Sequence, residues 1–273
     1  MPGRALQSAT MATITAALID IDGVLTVSWR ALPGAVEAMV RLRRMGLGLR
    51  LVTNTTSRTR SWMATRLSAQ GFPVHPDDLL TASSLTALYL NERHPGARCL
   101  VLNSGDLSND LPGVRLVRVD AADVDVVVLG GAGPEFSYDA LNRVFTHLQN
   151  GAALVAMNRN LYWATDEGLC LDTGTFLAGL EFASGATATM TGKPAPTFFT
   201  SALELLGVDA SEALIIGDDV DSDVIGGQAV GLGGVLVKTG KFLPRDLDRA
   251  DPAPDHVIDS FVDLPDLVQR LND

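Results

Sequence analysis

Short runs of Val, Ile, Leu and Ala recur along the chain at 15–20, 48–53, 98–102, 114–119, 125–130, 152–157, 187–191, 213–216 and 234–237. Between most of them, apolar residues return with helical spacing, which predicts helices at about 35–45, 58–70, 83–93, 138–149, 175–184, 196–206, 221–230 and 263–271. Strands that are apolar throughout, alternating with amphipathic helices, point to an α/β protein with a Rossmann-like, doubly wound parallel sheet covered on both faces. Gly46, Gly71 and Gly207 stand where the C-caps of three of these helices are expected. The chain has no repeat of fixed period and no low-complexity tract.

Polar clusters are spread unevenly over this pattern. ALIDIDG and LRLVTNTT lie in the first third of the chain, and TGKPAP and ALIIGDDVDSD in the last third. The stretch between them has strands and helices of its own but few such clusters. The economical reading is a catalytic core built from 13–81 and 187–273, with 82–186 inserted as an α/β cap domain over the site. Residues 1–12 are small and polar, with a second methionine at Met11, and read as a flexible N-terminal extension.

Composition narrows the partners. Thirty-two acids against twenty-one Lys and Arg give a net charge of −11, which repels nucleic acid and acidic lipid. The one basic cluster, RLRR at 41–44, falls in the last turn of a predicted helix, where cations complement the dipole. The two cysteines, Cys99 and Cys170, lie far apart in apolar contexts and read as small buried side chains in a reducing compartment. No apolar run is long enough for a membrane span, so the expected location is the cytoplasm. His75, His94, His147 and His256 are scattered without metal-ligand spacing.

Ligands of open parallel sheets bind at the carboxyl ends of the strands. Asp20 and Asp22, Thr53 and Asn54, and Asp218 with Asp219 each follow an apolar run directly, and Lys193 follows a less apolar one. These residues are therefore expected along one sheet edge. Carboxylates gathered there repel one another unless a cation joins them, and a hard, oxygen-liganded ion such as Mg²⁺ fits. Thr53, Asn54, Thr55 and Lys193 bring the hydroxyl, N–H and ammonium donors that a phosphoryl group needs. Asp219 and Asp221 read as solvated loop acids, and the Thr53–Thr55 segment also reads as a cap for the helix near Arg58. Asn158, Arg159, Asn160 and Tyr162 follow the run AALVAM and either face the site, with Asn158 the leading candidate for substrate contact, or form a polar loop packed for stability.

Four stretches, D-x-D-G-V-L (Asp20–Leu25), T-N-T-T (Thr53–Thr56), G-K-P (Gly192–Pro194) and G-D-D-x-x-x-D (Gly217–Asp223), resemble in order and spacing the motifs of the haloacid dehalogenase superfamily. The insert between the second and third resembles the α/β cap of the subclass that includes 4-nitrophenyl phosphatases and pyridoxal phosphatase. IGDDVDSDVIGGQAVG followed by GVLVKTGKF is similar to the phospholysine/phosphohistidine/inorganic pyrophosphate phosphatase group. The resemblance implies an Mg²⁺-dependent phosphatase of small phosphorylated metabolites acting through an aspartyl-phosphate. In that scheme Asp20 is the nucleophile and Asp22 the general acid/base. It further implies that the Asp20 carboxylate, the Asp22 backbone carbonyl and Asp218 hold the metal, that Asp223 acts behind them, and that the chain forms a homodimer through the cap. Two alternatives stay open: hydrolysis of pyrophosphate or of a P–N bond, and a non-catalytic module that senses a phosphorylated ligand.

Overall fold

The computed structural model describes residues 13–165 and 168–273, so the N-terminal extension read at 1–12 lies outside the described residues. Two parallel sheets organise the chain. The larger has six strands in the order His256–Ile258, Gly233–Val237, Ala213–Gly217, Ala16–Asp20, Gly48–Thr53, Leu79–Thr81. The smaller has five, in the order Thr189–Met190, Ala153–Ala156, Val126–Leu129, Arg98–Leu102, Arg115–Val117.

Side chains of a strand alternate between faces, and in the six-stranded sheet both faces are dry, which is why its central strands read as unbroken apolar runs. Ala17, Ile19, Leu49, Leu51, Leu214 and Ile216 point to one side, where they meet Met39 and Leu42 of helix α1 (Ala35–Arg44), Met63 and Leu67 of α2 (Arg60–Ser68), and Leu264 and Val268 of the C-terminal helix Leu264–Asn272. Ala16, Leu18, Val52, Ala213 and Ile215 point to the other, against Leu85 of α3 (Ala82–Arg93) and Phe198, Phe199 and Ala202 of a helix at Pro196–Leu206.

The five-stranded sheet is covered in the same way. Val127, Leu129, Leu154 and Ala156 pack on α4 (Tyr138–Gln149) and α5 (Thr173–Ser184), while Cys99, Val126, Val128 and Val155 pack on Ala87 and Leu90 of α3 and on Leu107 and Leu111. Helix α3 therefore serves both sheets, Leu85 joining the larger and Leu90 the smaller. Thr189–Met190 pairs with Val155–Ala156, so the middle unit keeps a strand beyond the boundary read at 186/187.

Several further elements were not legible as strand or helix: Leu79–Thr81 and His256–Ile258, each three residues long, the short helix Pro244–Arg249, and the hairpin strands Thr26–Val27, Arg30–Ala31, Tyr162–Thr165 and Gly168–Leu171. Three positions are too few for a period to register. The segment expected as a helix at 221–230 begins instead as a wide π-type turn, Val220–Ile225, before Gly226–Gln228. The Arg cluster behaves as an exposed helix end, with Arg41 ion-paired to Asp266 and Arg43 to Asp78. Cys99 is buried, as expected, whereas Cys170, also expected inside, is exposed on the hairpin strand Gly168–Leu171. Among the described residues, no helix is long and apolar enough to cross a membrane.

Phe198 is fully buried between the sheet and its helix layer, so Phe198→Ala is expected to lower unfolding stability by about 3–5 kcal/mol, measured by urea denaturation. A loss below about 1 kcal/mol would mean that this face is not the close-packed core described.

Candidate active site

All six strands of the larger sheet run the same way, so their carboxyl ends share one edge. The chain adds strands to one side of Ala16–Asp20 first, through Gly48–Thr53, and only later to the other side, through Ala213–Gly217. The strand order reverses between Ala16–Asp20 and Ala213–Gly217, the crevice where open α/β sheets hold their ligands. Asp20 and Asp218 flank that crevice from the two sides.

After Asp20 the chain turns within a few residues. Thr26 N–H and Leu25 N–H both donate to Ile21 O, and Gly23 N–H donates to Thr26 O at 2.7 Å. The turn takes Asp22 out of the strand line, and its exposed carboxyl accepts from the Ser28 backbone N–H. Gly23 has φ +88° and faces Asp218; a Cβ there would run into the Asp218 carboxylate, and the same holds for Gly240 at φ +61°. The glycine that follows the two acids thus provides a positive φ and leaves a slot for a third.

The acids are deeply enclosed: Asp20 is 8% exposed, Asp218 2% and Asp223 1%. One carboxylate oxygen from each lies within 4.8 Å of the others. Lys193, equally buried, donates to Asp20 Oδ1 at 2.7 Å and to Asp223 Oδ1 at 2.5 Å. Burial opposes the charge on Lys193, but Asp20 and Asp223 outweigh it and hold the ammonium charged. One cation against three carboxylates leaves the cluster short of positive charge. Burial, with the charges of Asp20 and Asp223, pushes Asp218 up to about 8, and burial also pushes Asp223 up against the pull of Lys193. Asp218 Oδ1 is buried without a hydrogen-bond partner, while its Oδ2 accepts from Lys241 N–H at 2.7 Å. Although Asp22 is open to solvent on one side, the protein around it partly desolvates its carboxyl, and this, followed by the charge of Asp20, raises it as well.

Thr53 ends its strand at the same edge, and its hydroxyl oxygen accepts from Thr55 N–H at 3.0 Å. The Asn54 side chain is engaged differently from the direct phosphate contact expected: its amide donates to Lys193 O and accepts from Lys193 N–H, both at 2.9 Å. It braces the loop that carries the lysine. Thr59, rather than the Thr53–Thr55 segment, caps α2, accepting from Trp62 N–H. Asn158 is buried just beyond Ala153–Ala156 and accepts from Asn160 N–H. Arg159 is taken up by a two-point ion pair with Glu181, and Tyr162 is exposed. Asp219 accepts from the N–H groups of Asp221 and Ser222 as the cap of the π-type turn, and Asp221 pairs with Arg249.

Two neighbours were not singled out from sequence. Lys241 lies beside the cluster, its Nζ 3.8 Å from Asp219, and the nearby carboxylates hold it charged despite burial of its surroundings. Thr239 donates its hydroxyl to Gly23 O, tying the turn after Gly233–Val237 to the turn after Asp20. The only trace of either in the sequence is the polar KTGK that follows an apolar run.

These acids favour protonation in the folded chain and not in the unfolded one, so between about pH 4 and pH 8 the folded state holds more protons and stability falls as pH rises. In chelator, urea unfolding between about pH 5 and 8 is expected to give a declining stability, with a shallower slope in Asp218→Asn. Parallel slopes in the two proteins would contradict this electrostatic account.

Residues 17–116 match the family model described as haloacid dehalogenase-like hydrolase, and residues 190–264 match a second, HAD-hydrolase-like model. The chain is 37% identical over 264 residues to haloacid dehalogenase-like hydrolase domain-containing protein 2 of Bos taurus, covering 96% of this chain and 99% of that one. It is 34% identical over 267 residues to the phospholysine phosphohistidine inorganic pyrophosphate phosphatase of Xenopus laevis, covering 95% and 96%. The crystal structure of 4-nitrophenylphosphatase from Thermotoga maritima superposes with a TM-score of 0.87 at 27% identity, covering 95% of this chain and 99% of that one. With two family models over its two outer segments and relatives matched along nearly their whole length, the chain belongs to the haloacid dehalogenase-like hydrolases.

Proposed function

We propose that the chain is a Mg²⁺-dependent phosphatase that hydrolyses a small phosphorylated metabolite through an aspartyl-phosphate on Asp20. The observation that carries the reading is the dry cluster of Asp20, Asp218 and Asp223 around Lys193, with one Asp218 oxygen left without a partner. All-oxygen donors and an excess of negative charge fit Mg²⁺ and do not fit a thiophilic metal. Asp20, Asp218 and the Asp22 backbone carbonyl would hold the ion, with Asp223 behind them steadying Lys193. Bound there, Mg²⁺ would supply charge neutralisation for the carboxylates and for the phosphoryl oxygens.

The Asp20 carboxylate oxygen attacks phosphorus while Asp22 gives its proton to the departing oxygen, so the alcohol leaves neutral. Asp22, now a carboxylate, takes a proton from water, and that water attacks the aspartyl-phosphate, releasing inorganic phosphate and freeing Asp20. The raised affinity of Asp22 for its proton suits the first of these steps. Lys193, the Thr53 hydroxyl and the main chain of the Asn54–Thr55 turn hold the phosphoryl oxygens, and Asn54 keeps Lys193 in line. Five-stranded sheet and flanking helices act as the cap, with Asn158 at its edge toward the substrate. The exposed cross-strand pair Tyr162 and Leu171, with Leu161 beside it, supports a homodimer formed through the cap.

The name of the Xenopus relative favours a second reading in which the bond cleaved is P–O–P or P–N. Product analysis with pyrophosphate and phosphoamino acids beside phosphate esters separates the two. A sensing module is disfavoured because acids, hydroxyl and lysine are all present.

With 4-nitrophenyl phosphate and Mg²⁺, Asp20→Asn is expected to abolish turnover and Asp22→Asn to slow it by about 10²–10⁴-fold, both retaining the wild-type circular dichroism spectrum. Full metal-dependent turnover by Asp20→Asn would sink the covalent mechanism. Mg²⁺ is expected to raise the melting temperature of the wild type and not of Asp218→Asn, a readout independent of activity.

A further inference from the structure

The turn after Thr53, read above as the phosphate-binding turn, is also held by residues of the middle unit. Asn103, buried just past the end of Arg98–Leu102, donates its amide to Thr56 O at 3.0 Å and to the carbonyls of Ser104 and Gly105, each at 2.9 Å. Its amide oxygen accepts from Gly131 N–H at 2.8 Å, and the same N–H reaches Thr56 Oγ1 at 2.7 Å. The approach is close: a side chain at Gly130 would strike Asn103, and one at Gly131 would strike the Thr56 hydroxyl.

A second tie lies one turn further along. Helix α2 starts at Arg60 with no acid in its first turn, which leaves its orphan N–H groups without the usual anion. Asp110 supplies it from the middle unit: its buried carboxylate accepts from Arg60 N–H at 2.8 Å and lies 3.7 Å from the Arg60 guanidinium. The segment from Thr53 to Arg60 is thus tied at Asn54 to the Lys193 loop, at Thr56 to Asn103 and Gly131, and at Arg60 to Asp110.

We infer that Asn103 and Asp110 are positioning residues for phosphate binding: seated on the core, the middle unit completes the turn that receives the phosphoryl group. Neither side chain touches substrate. They act through Thr56 and Arg60, and the consequence is that the phosphate site is formed only when the two units are docked. The inference rests on the reading of Thr53–Thr55 as the phosphate-binding turn. Because that turn holds the phosphoryl group in both ground and transition states, loosening it removes uniform binding. KM should therefore rise while kcat is largely kept.

The test compares Asn103→Ala, Thr56→Val, Asp110→Ala and Asp110→Asn with wild type and with Val144→Ala, a buried truncation inside the five-stranded unit that touches no part of the turn. Turnover of 4-nitrophenyl phosphate with Mg²⁺ gives KM and kcat, and inorganic phosphate as competitive inhibitor gives Ki. Asn103→Ala and Asp110→Ala are expected to raise KM and Ki together by about tenfold with kcat within about threefold, the size expected for loss of a buried hydrogen bond. Thr56→Val, which removes one hydroxyl from an otherwise unchanged shape, should give a smaller rise in the same direction. Asp110→Asn keeps an acceptor for Arg60 N–H and should restore near wild-type values. Val144→Ala should lower the melting temperature without moving KM or Ki. If Asn103→Ala, Thr56→Val and Asp110→Ala leave KM and Ki unmoved as Val144→Ala does, the residues are only structural and the inference is overturned while the phosphatase reading stands. If wild type itself neither hydrolyses the ester nor binds phosphate, the phosphatase reading fails and the inference with it.

Discussion

The constraint on which the rest depends is the concentration of negative charge in a dry crevice. Asp20, Asp218 and Asp223 lie within reach of one another with a single buried ammonium between two of them. Buried carboxylates of like charge are expensive to keep ionised, and ion pairing with one lysine relieves only part of that cost. Every nearby feature answers this excess. Glycines at 23 and 240 leave room for Asp218, and the Lys241 backbone N–H and ammonium face the cluster. The remaining imbalance favours a cation or a proton at this edge, which is the basis of the proposed Mg²⁺ site.

Such a site needs a rigid support, and the sheet provides it. The strand before Asp20 is buried on both faces and flanked by parallel neighbours on each side, so the nucleophile candidate cannot shift without moving the centre of the core. Lys193 has no strand of comparable length behind it, since Thr189–Met190 belongs to the other sheet. Its position is secured by the reciprocal bonds of Asn54, which couple the lysine loop to the end of Gly48–Thr53. The side of the crevice proposed to bind phosphate is therefore held by segments of both units, while the acids come from one.

The periodic signal was strong wherever a run was long enough to bury two faces. Nine apolar runs became strands, although several were shorter than they read, because burial continues past the last paired residue of the ladder, as at Ala152 and Met157. Leu79–Thr81 and His256–Ile258 escaped notice because three edge positions carry no period, and their strand state comes from pairing with Val52 and Leu236. The π-type turn at Val220–Ile225 replaces a regular helix start where Asp219 caps two N–H groups and Asp223 points inward to Lys193. Asp20, Asp218 and Lys193 were legible as a group because each ends or follows an apolar run in a fold whose strand ends converge, whereas Asp223, inside the turn, was read only through the resemblance of its motif.

By itself, the sequence determined the layered α/β plan and the identity of the charged residues at the strand ends, because both are written in local spacing. It could not determine which polar side chains meet. Lys193 and Asp20 are 173 residues apart, and Asn103 reaches Thr56 across 47. Those meetings depend on strand order and on the docking of two sheets, which no local pattern encodes. The tie of the Asn54 side chain to Lys193 was therefore invisible in the sequence, and Asn103, Asp110 and Lys241 were not singled out there. Only the tertiary structure decided their work, since a hydrogen bond between distant segments exists only after the packing of the apolar faces has brought those segments together.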